Sequence, residues 1–386
     1  MKRAGLEAIE TPAPVGIIIP PAASVGSVIA DIDTPSLILD LDVFEENLRS
    51  MQALAERHGI KLRPHAKAHR CPEISHRQVA LGAQGICCQK VSEAVPFVMA
   101  GLRDILISNE VVGAPKLALL AQLALQARMS VCVDNPQAVK DLSRAMASRS
   151  ATVRVLVEVD VGQKRCGVQT TAEAVALAQL VAELPGLEFV GIQAYHGGLQ
   201  HKRVFEQRRQ ACEKAARQVR KFVGALEQAG LPCAVVTGGG TGSAVFDIAA
   251  GVYTEIQPGS YAFMDADYGA LDWGEDLKFR HSMFVLASVI STPTSERVVV
   301  DAGLKSLTAE SGVPLIADHE GLRCVAVNDE HSLIVADTGS LPGLGDKLRL
   351  IPGHCDPTFN LHDQVVAMRG GKVEAIWPIS ARGLST

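Results

Sequence analysis

Four features of this 386-residue chain could do chemistry: one lysine after an apolar run, two glycine-rich turns, and a histidine two residues before an aspartate. Lys67 stands in KLRPHAKAHR among Lys61, Arg63, His65, His69 and Arg70. Neighbouring cations lower an amine pKa, so this setting predicts a neutral, nucleophilic Lys67. By position alone, a lysine after a strand is ordinarily a solvated surface charge. The turn GGGTGS, residues 238–243, lets backbone N–H groups approach an anion, with a hydroxyl from Thr241 or Ser243. Its plain alternative is a tight strand-to-helix connection. QPGS, residues 257–260, repeats the pattern after the next apolar run. A nucleophilic lysine together with two phosphate-type turns points to a phosphate-bearing aldehyde, of which pyridoxal phosphate is the obvious case. In PGHCDPT, residues i and i+2 of an extended segment face one side, so His354 and Asp356 could share a cation while Cys355 points away. One nitrogen and one oxygen donor favour Mn or Mg over Zn. The alternative there is a loop histidine with a turn-capping aspartate before Pro357.

Elements must bring these groups together. Apolar, largely β-branched runs recur at 60–64, 85–89, 104–109, 130–135, 152–160, 187–196, 233–239 and 253–257, separated by segments of helical period such as Phe205 to Gly230. Repeated right-handed βα units close most simply into a (β/α)8 barrel of the α/β class, with an open doubly wound sheet as the competing arrangement. In a barrel the reacting groups sit at strand C-terminal ends, where His65 to Lys67, Gln89, Asn109, Asp160 with Arg165, Tyr195-His196 and both glycine turns fall. Beyond residue 275 the texture changes to short strands with turns between them, an all-β domain. The expected division is an N-terminal arm (1–32), a barrel domain (33–275) and a C-terminal β domain (276–386), with the run at 35–41 open to either domain.

The composition narrows the classes. With 37 Lys plus Arg against 42 Asp plus Glu the formal charge is −5, and 47% of residues are hydrophobic. Disorder is excluded, and no basic excess supports a nucleic-acid partner. The nine cysteines include the adjacent Cys87 and Cys88 and no CxxC spacing, which reads as reduced thiols in the cytoplasm. No membrane span is expected: the uncharged stretch Thr11 to Ala30 is broken by Pro12, Pro14, Pro20 and Pro21. A signal peptide there is the lesser alternative to an extended arm.

The motifs DTPSLILDLD, RPHAKAH, GICCQKVSEA, EVDVGQKRCGV, QAYHGGLQH, TGGGTGS, QPGSYAFMDADYG and GHCDPTFNLHD occur in this order between about Asp33 and Gly383. Together they resemble the bacterial D-threonine aldolases and the related D-3-hydroxyaspartate aldolases, fold-type III pyridoxal phosphate enzymes of the alanine racemase-like class. The resemblance implies a homodimer and a retro-aldol cleavage of D-β-hydroxy-α-amino acids to glycine and an aldehyde. It makes Lys67 the cofactor-bearing lysine and Arg165 the partner of the pyridine nitrogen. Gln89 and Tyr195 stand beside the cofactor, and Gly239, Gly240, Thr241, Gly259 and Ser260 lie around the phosphate with Tyr261 nearby. His354 and Asp356 become the metal ligands. His201, which by itself reads as a surface loop histidine, becomes the base near the substrate hydroxyl.

Three other functions compete. The D-serine dehydratase branch of the same fold eliminates the β-hydroxyl, and its metal pair resembles His-x-Cys around zinc where this chain has Asp356. A non-catalytic pyridoxal phosphate carrier would lack the C-terminal β domain. A metal-dependent barrel aldolase or a sugar-phosphate isomerase would not need Lys67.

Overall fold

The computed structural model describes residues 19–274 and 277–386; the expected arm over 1–18 and the expected boundary at 275 and 276 lie outside the described residues. Strand β1 (Ser36–Asp40) leads into α1 (Leu41–Arg57), whose start is set by the Asp40 carboxylate accepting the Asp42 and Val43 N–H groups. Strands and helices then alternate: β2 (Lys61–Leu62), α2 (Pro72–Ala80), β3 (Ile86–Cys88), α3 (Val91–Met99), β4 (Asp104–Glu110), α4 (Ala114–Ala124), β5 (Arg128–Val133), α5 (Pro136–Ala147), β6 (Val153–Glu158), α6 (Thr171–Glu183), β7 (Leu187–Ala194), α7 (Phe205–Gln228), β8 (Val235–Gly238), α8 (Ala244–Ala250) and β9 (Glu255–Ile256), followed by the single turn α9 (Ala266–Gly269).

Parallel pairing runs β2-β9-β8-β7-β6-β5-β4-β3. The ring closes where Gln84 N–H donates to Leu62 O at 2.8 Å and Cys87 N–H to Pro64 O at 2.9 Å, with a parallel bridge between His65 and Cys87. Those bonds decide for the barrel over the open sheet. Cys87, Leu106, Cys132, Leu156 and Val190 form a small core of their own within the ring. Their strand neighbours Ile86, Ile105, Val131 and Val155 join the main core beneath the helices, as a period of two requires. Other buried strand positions are polar. Arg63 pairs with Asp104 and Glu255, each at 2.8 Å. Thr237 Oγ1 donates to Glu255 at 2.9 Å, and Gln257 Nε2 donates to Thr237 at 2.8 Å and to Gln193 at 2.7 Å.

The remaining elements are β10 (Met283–Thr294), β11 (Arg297–Val300), β12 (Leu315–Ile316), β13 (Leu322–Val327), β14 (Ser332–Ala336), β15 (Lys347–Ile351), α10 (Cys355–Phe359), β16 (Gln364–Arg369) and β17 (Lys372–Pro378). They form a second sheet in the order β13-β14-β11-β10-β1-β16-β17, with β15 on β10 and β12 on β15. β1 therefore sits in this sheet, antiparallel to β10 and parallel to β16. Residues before it lie against the same sheet: Gly26 N–H donates to Val373 O and Val373 N–H to Ser27 O, at 2.8 and 2.9 Å, and Ile32 is fully buried. Helix α10 packs on the turn Ala66–Ala68 that carries Lys67, so the two sheets meet at the chemically active residues.

Candidate active site

Lys67 rises from the turn after β2, and His65 fixes that turn by accepting the Lys67 N–H at Nδ1, 3.4 Å away. The His65 Nε2 lies 2.9 Å from Ser108 Oγ, and burial together with the nearby Lys67 charge pushes its pKa down to about 3. His69, fully buried, is pushed down to about 3 as well, by burial. Arg63 is held by Asp104 and Glu255, and Arg70 by Glu93 at 2.8 Å. The expected cationic field around Lys67 is therefore absent: its histidines are neutral and its arginines are paired. Burial disfavours the Lys67 ammonium, but the Asp356 carboxylate 3.7 Å away, with Tyr195, outweighs burial and the Arg165 charge, so the Lys67 pKa is raised. This corrects the expectation of a depressed pKa, because the nearest charge comes from the other sheet's domain and not from the surrounding sequence.

The turn after β8 is pinned from within. Ser243 Oγ donates to Asp247 at 2.5 Å and accepts from Gln200 Nε2 at 2.7 Å and Gly240 N–H at 3.1 Å. Ser243 thus has no hydroxyl left for an anion. Thr241 differs: its Oγ1 accepts the Tyr261 N–H at 3.0 Å, which leaves its O–H to donate into the pocket. Gly239 has φ +68°, and a Cβ there would stand 2.5 Å from Asp247 Oδ2. A Cβ on Gly259 would meet Ala68 Cβ and His65 O, each at 3.1 Å. Gly240, Thr241, Gly259 and Ser260 form one donor-rich wall of a pocket that Lys67 also lines.

Arg165 is carried by the loop after β6, which Asp160 braces by accepting the Gly162 and Lys164 N–H groups at 2.8 and 3.1 Å. Its guanidinium lies 5.4 Å from the centre of the Tyr195 ring, and Nη2 is 3.6 Å from Glu158 Oε1. Burial and the charge of Glu110, opposed by Arg165, push the Glu158 carboxyl up to about 8. Burial likewise raises Glu110, with Asp134 adding to it.

Across the pocket, His201 donates from Nδ1 to Asp267 Oδ2, and Arg203 donates to Asp267 Oδ1 and to its backbone carbonyl. Opposite them, His354 is the N-cap of α10 and Asp356 lies in its first turn. This corrects the extended reading of GHCDPT: the pair is brought together by a helical turn, and Pro357 sits where a first turn tolerates it. His354 Nε2 is 3.7 Å from Asp356 Oδ1, and its Nδ1 is 2.5 Å from Glu310 Oε1. The Glu310 carboxylate commits Nδ1 to its hydrogen and leaves Nε2 facing Asp356. Burial opposes the His354 cation, but Asp356 and Glu310 outweigh it and raise its pKa. Burial also opposes the Asp356 anion, yet Lys67 and His354 hold that carboxyl below its ordinary range. Cys355, expected to point away from the pair, is fully buried with its Sγ–H donating to Asp356 Oδ1 at 3.3 Å, because the helical turn brings it beside that carboxylate. Among the described residues no group of three or more His, Cys, Asp or Glu side chains is placed to hold a metal ion.

One pocket gathers Lys67, Gln89, Arg165, Tyr195, His201, Gly240, Thr241, Gly259, Ser260, His354 and Asp356. Gly239 and Tyr261 are not on its wall. Gly239 faces Asp247, and the Tyr261 ring is buried beside Phe279 and Gln78, with only its backbone N–H reaching Thr241. Asn109 and His196 also stand outside it. The pocket adds Ser108, Gln193 and Tyr268, to which sequence reasoning assigned no role, and also His65 and Gln257, which it placed at strand ends. Ser108 and Gln257 fall at strand C-terminal ends and carried that signal. Asp267 and Tyr268 lie in the motif QPGSYAFMDADYG, but in a connecting segment, with no strand-end signal.

The family model for the alanine racemase N-terminal domain matches residues 39–267, and one for a putative serine dehydratase domain matches residues 282–368. The chain is 58% identical over 371 residues to a D-threonine aldolase of Arthrobacter sp, covering 96% of this chain and 98% of that one. A 3-hydroxy-D-aspartate aldolase of Paracoccus denitrificans is 44% identical over 361 residues, with 92% and 93% covered. The crystal structure of a D-threonine aldolase from Filomicrobium marinum has a TM-score of 0.93 to this chain at 49% identity, over 95% of this chain and all of that one.

Proposed function

The chain belongs to the D-threonine aldolase family, with that family's alanine racemase-type N-terminal domain, and we propose on that basis that it cleaves D-β-hydroxy-α-amino acids of the D-threonine type to glycine and an aldehyde. The observation that carries the reading is the convergence of Lys67, the two glycine turns, Arg165, His201 and the His354/Asp356 pair on one pocket. The residues fit pyridoxal phosphate. A Cβ on Gly240 would stand 2.7 Å from Gln200 Oε1 and one on Gly259 would press on Ala68 and His65 at 3.1 Å, so both turns keep bare backbone there, while Thr241 has a free hydroxyl hydrogen and Lys67 an amine at the pocket wall. When bound, the cofactor supplies the sink for the electron pair released by Cα–Cβ cleavage.

In this reading Lys67 would hold the cofactor at its aldehyde, and Thr241, Ser260, Gly240 and Gly259 would hold its phosphate. Arg165, always charged and a donor only, keeps the ring nitrogen from taking a proton. His354 and Asp356 would hold a divalent cation, Mn or Mg by the hardness of the donors, which would supply Lewis acidity at the substrate hydroxyl. His201 takes the hydroxyl proton at Nε2. We assign the protein to the cytoplasm, which its nine unpaired cysteines support, and to the homodimer that the family resemblance implies. Among the described residues no helix is long and apolar enough to cross a membrane.

Glycine release from D-threonine, D-phenylserine and D-3-hydroxyaspartate, each with and without Mn, tests the reading. Metal-dependent glycine from the first two is expected. Pyruvate and ammonia from D-serine without glycine from D-threonine would overturn the reaction, and equal rates with and without metal would overturn the role of His354 and Asp356.

A further inference from the structure

A histidine can act as a base at one chosen nitrogen only if the other nitrogen is committed to its hydrogen. The His201 side chain is half exposed at the pocket edge, and a mobile imidazole there would present either nitrogen. We propose that Asp267 is the positioning residue that makes His201 a base, committing Nδ1–H and leaving the Nε2 lone pair toward the substrate hydroxyl. The inference rests on the aldolase reading above and extends it to a residue outside the set that touches the reacting atoms.

Three observations carry it. The first is the bond itself, from His201 Nδ1 to Asp267 Oδ2. A carboxylate only accepts, so Nδ1 must carry the hydrogen whenever Asp267 is ionised. Burial works against ionisation, but the bonds from His201 and Arg203 and the Arg203 charge hold the Asp267 carboxyl below its ordinary range.

The second is that Asp267 is itself held from two sides. Arg203 donates to its other oxygen, Oδ1, and to its backbone carbonyl. The chain carrying Arg203 is anchored in turn by Arg208, which is nearly fully buried and donates to the carbonyls of Lys202, Arg203 and Asp272. Tyr268, also on the pocket wall, packs its ring 5.5 Å from the imidazole.

The third is that the same segment grips the loop bearing His354. Ala266 N–H donates to Pro352 O at 3.0 Å and Asp267 N–H to Gly353 O at 3.3 Å. Asp265 accepts the Cys355 N–H at 2.8 Å and the Tyr268 N–H at 2.8 Å. Residues 265–268 therefore fix the orienting carboxylate and the His354/Asp356 turn in one frame. The hydroxyl proton moves to Nε2, and the imidazolium so formed faces the Asp267 charge through the hydrogen that Nδ1 already holds.

Imidazole ¹⁵N spectra of the holoenzyme, with His201 identified by its loss in His201→Asn, read the tautomer directly. The Nδ1–H form is expected in the unaltered protein, and the Nε2–H form would overturn the proposal without any variant at Asp267. Asp267→Asn is expected to mix the tautomers and to lower kcat by about 100-fold, the usual scale for removing a partner that orients a functional histidine, with little change in KM. Near-normal kcat and an unchanged tautomer in Asp267→Asn, beside an inactive His201→Asn, would refute the role of Asp267 alone. Full activity in His201→Asn would instead remove the base assignment beneath it.

Discussion

Replacing Glu158 by glutamine should make the protein more stable, and increasingly so as pH rises. Glu158 ends β6, is 3% exposed, and stands near two other carboxylates, Glu110 and Asp134. Burial and Glu110 raise its pKa from the ordinary 4.5 to about 8, against the pull of Arg165. The folded state therefore keeps a proton that the unfolded chain releases. The sign follows from linkage: the stability is fully present below the unfolded value, near 4.5, and is lost as pH rises through the folded value, near 8. At about 1.4 kcal/mol per pH unit, the loss reaches about 3 kcal/mol at about pH 7 and saturates near about 5 kcal/mol. Glutamine reproduces the protonated shape without that penalty. It gives up an ion pair with the half-exposed Arg165, worth about 1 kcal/mol or less. Urea unfolding of cofactor-free protein should thus show Glu158→Gln gaining about 2 to 4 kcal/mol at about pH 8 and little at about pH 5. A variant no more stable than the parent at the higher pH would refute the claim that this buried carboxyl is held protonated.

Asp356→Asn removes the carboxylate that keeps Lys67 charged. At neutral pH the variant should capture pyridoxal phosphate faster than the parent, followed by its visible absorbance, while its glycine release no longer responds to Mn. Slower capture would disprove the Lys67–Asp356 pairing. Gly239→Ala places a methyl 2.5 Å from Asp247 Oδ2 at a φ of +68°, and should cost about 1–3 kcal/mol in urea unfolding. Its cofactor affinity should fall too, since Gly240 follows directly; unaltered stability would contradict the turn geometry described here.

Much of the architecture was legible in the chain because it is encoded locally. The runs around Ile86, Ile105, Val131 and Val155 are short and β-branched, and each lies within a few residues of the strand it forms. Closure of the ring was not legible, since it depends on Gln84 and Cys87 meeting Leu62 and Pro64, bonds that no period in the sequence announces. The run LILDL illustrates the same limit: it reads as a strand, but its partners β10 and β16 lie more than two hundred residues away.

At the site the division is sharper. Lys67, Thr241, His354 and Asp356 were nameable from residue type and spacing and Arg165 and Tyr195 from strand ends, whereas His201 was named only through the resemblance to the aldolases. Their states were not nameable. Lys67 reads as depressed by its cationic neighbours, yet Glu255, Asp104 and Glu93 neutralise the arginines, and burial discharges the histidines. The His354/Asp356 pair reads as one extended segment, but only His354 is extended and Asp356 lies in a helical turn, while Asp267 stands in a quoted motif that does not announce its partner His201, 66 positions away. The sequence by itself determined the strands, the helices and the reactive side chains, which follow from neighbours a few residues apart. Only the tertiary structure decided which of those side chains are charged and which nitrogen faces the pocket, because Coulomb energy and burial depend on distance in space and not on distance along the chain.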